Sequence, residues 1–230
     1  MFFIDPLYIV MIVPTFLLSI YAQIKVKSTF KRFSKVHSAR GITGAQAAAM
    51  ILKAEGIDGV RIEQSRGFLS DHYDPRARVL RLSAGVYSGD SISSVGVAAH
   101  EVGHAIQHAR GYMPLNVRSA MVPITTIGSN LAWPLLFIGF IFMSKELIGA
   151  GIIFFSLAVA FQLVTLPVEF NASSRALKVL PATGILSESE VAGARSVLSA
   201  AALTYVAAAA AAMVQLLYFL LRAGFLGGDD

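Results

Sequence analysis

Cysteine is absent from the 230 residues. That excludes disulfides and thiolate ligands together, so any bound metal must rely on His, carboxylate or water. Charge is scarce: Asp, Glu, Lys and Arg make up 14%, where an ordinary soluble domain carries about 25%. Hydrophobic residues fill the difference at 55%, which points to membrane segments. No internal repeat or low-complexity linker is present beyond the tract Ala207–Ala212. The net charge is +5, but it is localised, and its location speaks for membrane topology rather than nucleic-acid binding.

Leu7 to Ala22 is almost unbroken apolar sequence, about the length of a short transmembrane helix. A cleaved signal peptide is the weaker alternative. The start carries Asp5 and no Lys or Arg, and Ser19 to Ala22 makes a poor cleavage site. Lys25, Lys27, Lys31, Arg32, Lys35 and Arg40 follow without one acid. Such a run is a solvated face, lying on lipid headgroups or not, and it favours the cytoplasmic side of the membrane.

Residues 41–120 read as a compact α+β unit. Thr43 and Gln46 form a capping-box pattern ahead of an Ala-rich helix that Gly56 ends. Val60–Glu63 and Val79–Leu82 alternate as strands do, and Phe68–Pro75 between them is turn-bearing and polar. Met121–Met143 and Leu147–Leu166 are apolar, separated by Ser144, Lys145 and Glu146, and read as a transmembrane hairpin. Residues 168–198 are mixed and polar. Ala200–Leu221 is Ala-rich; an amphipathic or soluble helix is its alternative, but Val214–Leu221 favours a span.

His100-Glu101-Val102-Gly103-His104 reads H-E-x-x-H. On a helix, residues four apart share a face, so both imidazoles can reach one ion. Glu101 lies beside that face, where a general base would polarise water. The flanks are helix-compatible: Asp90 or Ser91 can cap the start and Gly111 can stop it. A helix otherwise made of Val, Ala and Ile has little structural use for His-Glu-His, because unpaired ionisable groups are costly to bury.

A catalytic zinc usually takes three protein ligands and leaves one position open. His108 is one further turn along, but eight residues put it roughly 12 Å from His100 on a straight helix. Glu169, in Pro167–Ser173, is better placed. Two spans separate it from His104, which returns the chain to the same side, and an acid in so apolar a flank needs a partner. The alternative is a helix-end carboxylate paired with Arg175.

His100–His108, the upstream Asp71-His72-Tyr73-Asp74-Pro75-Arg76, and Glu169-Phe170-Asn171-Ala172-Ser173 together resemble the bacterial YugP-type membrane zinc metallopeptidases. The resemblance covers nearly the whole chain. It implies a neutral zinc endopeptidase in the bacterial plasma membrane, similar in plan to membrane peptidases that use H-E-x-x-H and a downstream Glu. Those usually place an Asp four residues after that Glu to support a zinc-bound His; here the position is Ser173. The resemblance says little about substrate.

The expected architecture is a mainly α, multi-span α-helical membrane protein with a small α+β zincin-like cytoplasmic domain. Its expected parts are an anchor at 1–23, a cytoplasmic zinc-peptidase unit at 24–120, a transmembrane hairpin at 121–166, a cytoplasmic segment at 167–198 and a C-terminal transmembrane helix at 199–222. The expected site is Zn²⁺ on His100, His104 and Glu169, with Glu101 as general base and His72 or Tyr73 donating to the oxyanion. The expected partners are a peptide or protein substrate, membrane proteins included, and the lipid bilayer, with no nucleic acid. The strand near Val79–Leu82 is expected to receive substrate by edge pairing. Two rivals remain at this point. An intramembrane protease usually adds an Asp ligand from a later helix, and no Asp occurs between Asp90 and Asp229. A non-catalytic zinc-binding scaffold would have no use for Glu101.

Overall fold

The computed structural model describes residues 5–67 and 70–225. Phe68 and Leu69, at the head of the polar stretch, and the four residues before Asp5 lie outside them. The chain is mainly helical, with a three-stranded sheet. It divides into two units. One comprises Met1–Ala22, Asn116–Leu166 and Thr204–Asp230, the other Gln23–Leu115 and Pro167–Leu203.

The first unit is built from the apolar parts of four long helices: α1 (Pro6–Phe33), α5 (Met113–Ile141), α6 (Lys145–Ala182) and α7 (Glu188–Arg222). Each is long and apolar enough to cross a membrane. Val10, Phe16, Ile124, Phe137 and Ile153 are exposed, as lipid-facing positions are. Hydroxyls inside these helices turn back on their own backbone: Ser19 Oγ donates to the Thr15 carbonyl, Thr126 to Val122 and Ser156 to Ile152. Asp5 has partners of its own. The Tyr218 hydroxyl donates to its Oδ2 at 3.1 Å, and Arg222 Nε lies 3.5 Å from the same oxygen. Tyr218 is fully buried, with the Tyr8 ring edge-on at 4.9 Å.

The helices run further than the apolar stretches. α1 carries Lys25 to Arg32 on its last turns, and α7 starts at Glu188. In α6 the apolar run ends at Leu166, but the helix continues through Pro167 to Ala182. A proline within a helix loses one hydrogen bond and costs about 3 kcal/mol. Burial offsets that here, since Val168, Ala172, Ala176 and Leu180 are all fully buried.

The second unit is an α+β assembly. α2 (Gly44–Ala54) starts on a complete capping box: Thr43 accepts from Gln46 N–H, and the Gln46 side chain accepts from Thr43 N–H. β1 (Arg61–Ser65) pairs parallel with β3 (Val79–Ser83), and β2 (His72–Asp74) pairs antiparallel with β3, giving the order β1-β3-β2. β3 is therefore the central strand. Its Val79, Leu80 and Leu82 are fully buried, and neither of its edges is open to a substrate, which overturns the edge-pairing expectation for Val79–Leu82. β2 lies within the stretch Phe68–Pro75 that the sequence marks as turn-bearing. Three residues are too few for a period-2 pattern, and what holds them is tertiary: Asp71 accepts from Ser83 N–H at 2.7 Å and from Ser83 Oγ, at the end of β3. Asp74 then closes the following turn by accepting from the N–H groups of Arg76 and Ala77.

A short helix, α3 (Ala84–Tyr87), leads to α4 (Ile92–Ala109). Ser91 is the α4 cap, accepting from Ser94 N–H, while Asp90 pairs with His37 at 2.7 Å. α4 is the unit's central rod. Val95, Ala98, Ala99, Val102, Ala105 and Ile106 are buried with Ile51 and Leu52 of α2, Leu80 and Leu82 of β3, Ala176 and Leu180 of α6, and Ala194 and Val197 of α7.

Leu82→Ala removes a fully buried side chain from the central strand. It is expected to destabilise the protein by about 2–5 kcal/mol, read as an earlier unfolding midpoint of the detergent-purified chain; an unchanged midpoint would mean that β3 is not packed as described.

Candidate metal centre

α4 and α6 meet at a glycine. A Cβ on Gly103 would lie 2.5 Å from the Ala172 carbonyl oxygen and about 3 Å from its Cα, so only Gly lets the two backbones come this close. Gly103 precedes His104, and Ala172 lies between Glu169 and Ser173. The approach carries the carboxyl and hydroxyl of α6 onto the imidazoles of α4.

The result is a buried cluster. His100, His104 and Glu169 each offer a ligand atom, all within 4.8 Å of one another. Glu169 Oε2 is 3.3 Å from His100 Nε2 and 3.6 Å from His104 Nε2. A charge-assisted N–H···O bond is shorter, about 2.7–2.9 Å. Ligands about 2.0–2.1 Å from a tetrahedral zinc stand roughly 3.3 Å apart, so these separations suit atoms that share a cation.

The other ring nitrogens support that reading. His104 Nδ1 lies 3.0 Å from Gln107 Oε1. Gln107 is fully buried, and its Nε2 donates to the Val168 carbonyl at 2.8 Å and to Asn171 Oδ1 at 3.0 Å. Arg175 Nε donates to the same Asn171 oxygen at 2.7 Å. That oxygen must accept from both, so the Gln107 amide can present only its oxygen to His104. His104 Nδ1 must then carry the proton, and a neutral His104 presents Nε2 to Glu169 as a lone pair. A lone pair facing a carboxylate oxygen is repulsive unless a proton or a metal cation lies between them. His100 is treated similarly: its Nδ1 is 3.1 Å from Ser173 Oγ, so Ser173 occupies the supporting place that the resemblance assigns to Asp. Burial alone would disfavour charge on His104. The carboxylates of Glu169 and Glu101 outweigh it and hold the His104 pKa above its ordinary value, so the site favours positive charge.

Glu101 is buried on α4, and no hydrogen bond or ion pair joins its carboxylate to another described residue. His108 lies outside the triad; its Nδ1 is 2.9 Å from the Tyr73 hydroxyl. His72 is exposed, with Nδ1 against the Ser70 carbonyl at 2.9 Å and Nε2 facing Arg81 at 3.4 Å. Arg175, the alternative partner considered for Glu169, bonds Asn171 instead and lies 6.0 Å over the Tyr112 ring. Sequence reasoning missed Gln107 and Asn171. The available signal was their position, each within three residues of a ligand on the same helix.

The family model described as "Putative neutral zinc metallopeptidase" matches residues 8–224. The chain belongs to this family. It is also 50% identical over 225 residues to the "Putative membrane protease YugP" of Bacillus subtilis (strain 168), covering 97% of this chain and 99% of that one. No solved structure matches the chain. The family name includes zinc, and the donor set found here, two imidazoles and a carboxylate without a thiolate, suits that ion.

Gln107→Ala leaves His104 without its orienting acceptor and is expected to lower zinc affinity about 10–100-fold. Gly103→Ala forces α4 and α6 apart and should lower it at least as far while helix content by circular dichroism is kept. Competition with a fluorescent chelator reads both; wild-type affinity in either variant would refute the corresponding contact.

Proposed function

We propose that the chain is a membrane-embedded zinc metalloendopeptidase that hydrolyses peptide bonds of protein substrates. The observation that carries the proposal is the convergence of two imidazole Nε2 atoms on one Glu169 oxygen at the spacing of tetrahedral ligands, with Glu101 buried on the same helix. In this reading His100, His104 and Glu169 hold the ion. A bound zinc ion supplies Lewis acidity, which activates water and polarises a carbonyl.

The chain's own residues do the rest. Glu101 accepts a proton from the attacking water and passes it to the leaving amine. Among the described residues its carboxylate has no hydrogen-bond partner, which leaves it available for both transfers. Gln107 and Ser173 keep the two imidazoles turned with Nε2 inward. His72 or Tyr73 donates to the oxyanion in this reading: Tyr73 is partly buried with its hydroxyl 2.9 Å from His108 Nδ1 on α4, and His72 is exposed with Nδ1 against the Ser70 carbonyl. The basic run from Lys25 to Arg40 supports a cytoplasmic site, and the relative's name, a membrane protease, agrees with a plasma-membrane location.

About one zinc per chain is expected in the purified protein, lost in His100→Ala and His104→Ala and kept in His108→Ala. Glu101→Gln should keep zinc and lose about 10²–10⁴-fold in peptidase activity. Glu169→Gln should lose zinc affinity and activity together, with partial recovery in excess zinc. Metal content measured beside peptide cleavage separates the roles. Normal cleavage by Glu101→Gln would end the hydrolase reading, and wild-type zinc affinity in Glu169→Gln would remove Glu169 from the ligand set.

Topology has a direct check, because the chain has no native cysteine. Cysteines introduced at the exposed Ser34 and Ser187 should both resist an impermeant thiol reagent applied outside intact cells. Labelling of both would place the site outside; labelling of one alone would split the ligand-bearing segments across the membrane.

A further inference from the structure

We propose that the cavity between α1 and α7 in the second unit is a binding site for the phosphate of an anionic phospholipid headgroup. The cavity measures about 540 Å³, within the range of small-molecule pockets, about 300–1,000 Å³. Three cations line it, Lys25 and Arg32 from α1 and Arg195 from α7, together with the hydroxyls of Thr29, Ser196 and Ser199. Lys25, Thr29 and Arg32 recur at helical spacing, as do Arg195 and Ser199, so each helix contributes one stripe.

The lining contains no carboxylate. The sequence has none from Pro6 to Ala54, nor from Val191 through the end of α7. The nearest acid on α7, Glu190, is engaged elsewhere, accepting from Ala39 N–H and from Ser187 N–H. Two guanidinium forks, one ammonium and the hydroxyls of Thr29 and Ser199 form a donor set for phosphate oxygens, while the Ser196 hydroxyl donates to the Ala192 carbonyl of its own helix.

Position along the helices selects a lipid over a free anion. On α1, Lys25 follows the apolar run Leu7–Ala22 by three residues; on α7, Arg195 and Ser199 immediately precede the apolar run Ala200–Leu221. Both helices thus place the cavity where an apolar stretch ends, which is where headgroups lie. The wall also includes Phe33, Ala200 and Leu203, apolar surface that inorganic phosphate would not need. Neither the cavity nor its lining overlaps the metal cluster, so the proposal stands independently of the peptidase reading.

The test is native mass spectrometry of the full chain released from nanodiscs of phosphatidylglycerol mixed with phosphatidylcholine. The wild type is expected to retain phosphatidylglycerol about tenfold over phosphatidylcholine. Arg32→Gln combined with Arg195→Gln should bring the two lipids to parity, while Lys31→Gln, outside the cavity lining, should leave the preference intact. Equal retention of the two lipids by the wild type, or an unchanged preference in the double variant, would overturn the proposal. Inorganic phosphate at millimolar concentration separates the sources. Persistence of the bound lipid supports the headgroup assignment; complete displacement would make this a free-phosphate site and overturn it.

Discussion

The contact between Gly103 and Ala172 is the constraint on which the candidate site depends. His100 and His104 are positioned by one helix, and Glu169 and Ser173 by another that lies 65 residues further along the chain. Neither pair is useful unless the helix axes come closer than ordinary side chains allow. A glycine on α4 facing the backbone of α6 permits that, and the fully buried Val168, Ala172 and Ala176 hold α6 against the core. Packing in the apolar interior therefore sets the distance between the polar groups.

Polar contacts then refine what packing brings together. The line Arg175–Asn171–Gln107–His104 has a definite sense of donation. Arg175 can only donate, so Asn171 must accept, Gln107 must donate to it, and His104 must donate to Gln107. A guanidinium some distance from the cluster thus decides which nitrogen of His104 faces Glu169. Buried networks of this kind are stable only when every member is satisfied, which suits a site that must hold one tautomer. In the first unit, the Asp5–Tyr218–Arg222 cluster follows the same rule: a carboxylate beside an apolar helix is kept by a hydroxyl and a cation from α7.

Much of this was legible in the residues. The H-E-x-x-H spacing works because helical periodicity is local, and the caps at Thr43 and Ser91 depend on neighbours three residues away. The four apolar helices could be counted because hydropathy averages over a window of the right length. Errors arose where a local pattern met a tertiary competitor. The apolar run stops at Leu166, whereas buried packing beyond Pro167 carries α6 on to Ala182. Residues 72–74 carry no strand pattern of their own, and Asp71 ties them to β3. Val79–Leu82 read as a strand, but the pattern within a strand does not say what pairs with either edge.

The sequence by itself determined the elements and their chemistry: a thiol-free metal set, two imidazoles on one helix face with a carboxylate between them, a basic stretch after an apolar helix, and Glu169 as an acid in an apolar flank. These follow from composition and from periodicities of two to four residues. Tertiary structure alone decided that Ser173 faces His100, that Gln107 and Asn171 set the orientation of His104, that β3 is enclosed on both sides, and that cations from α1 and α7 line one cavity. Each of those relations joins side chains on different elements. Their distances depend on how whole helices and strands pack, which no local pattern encodes.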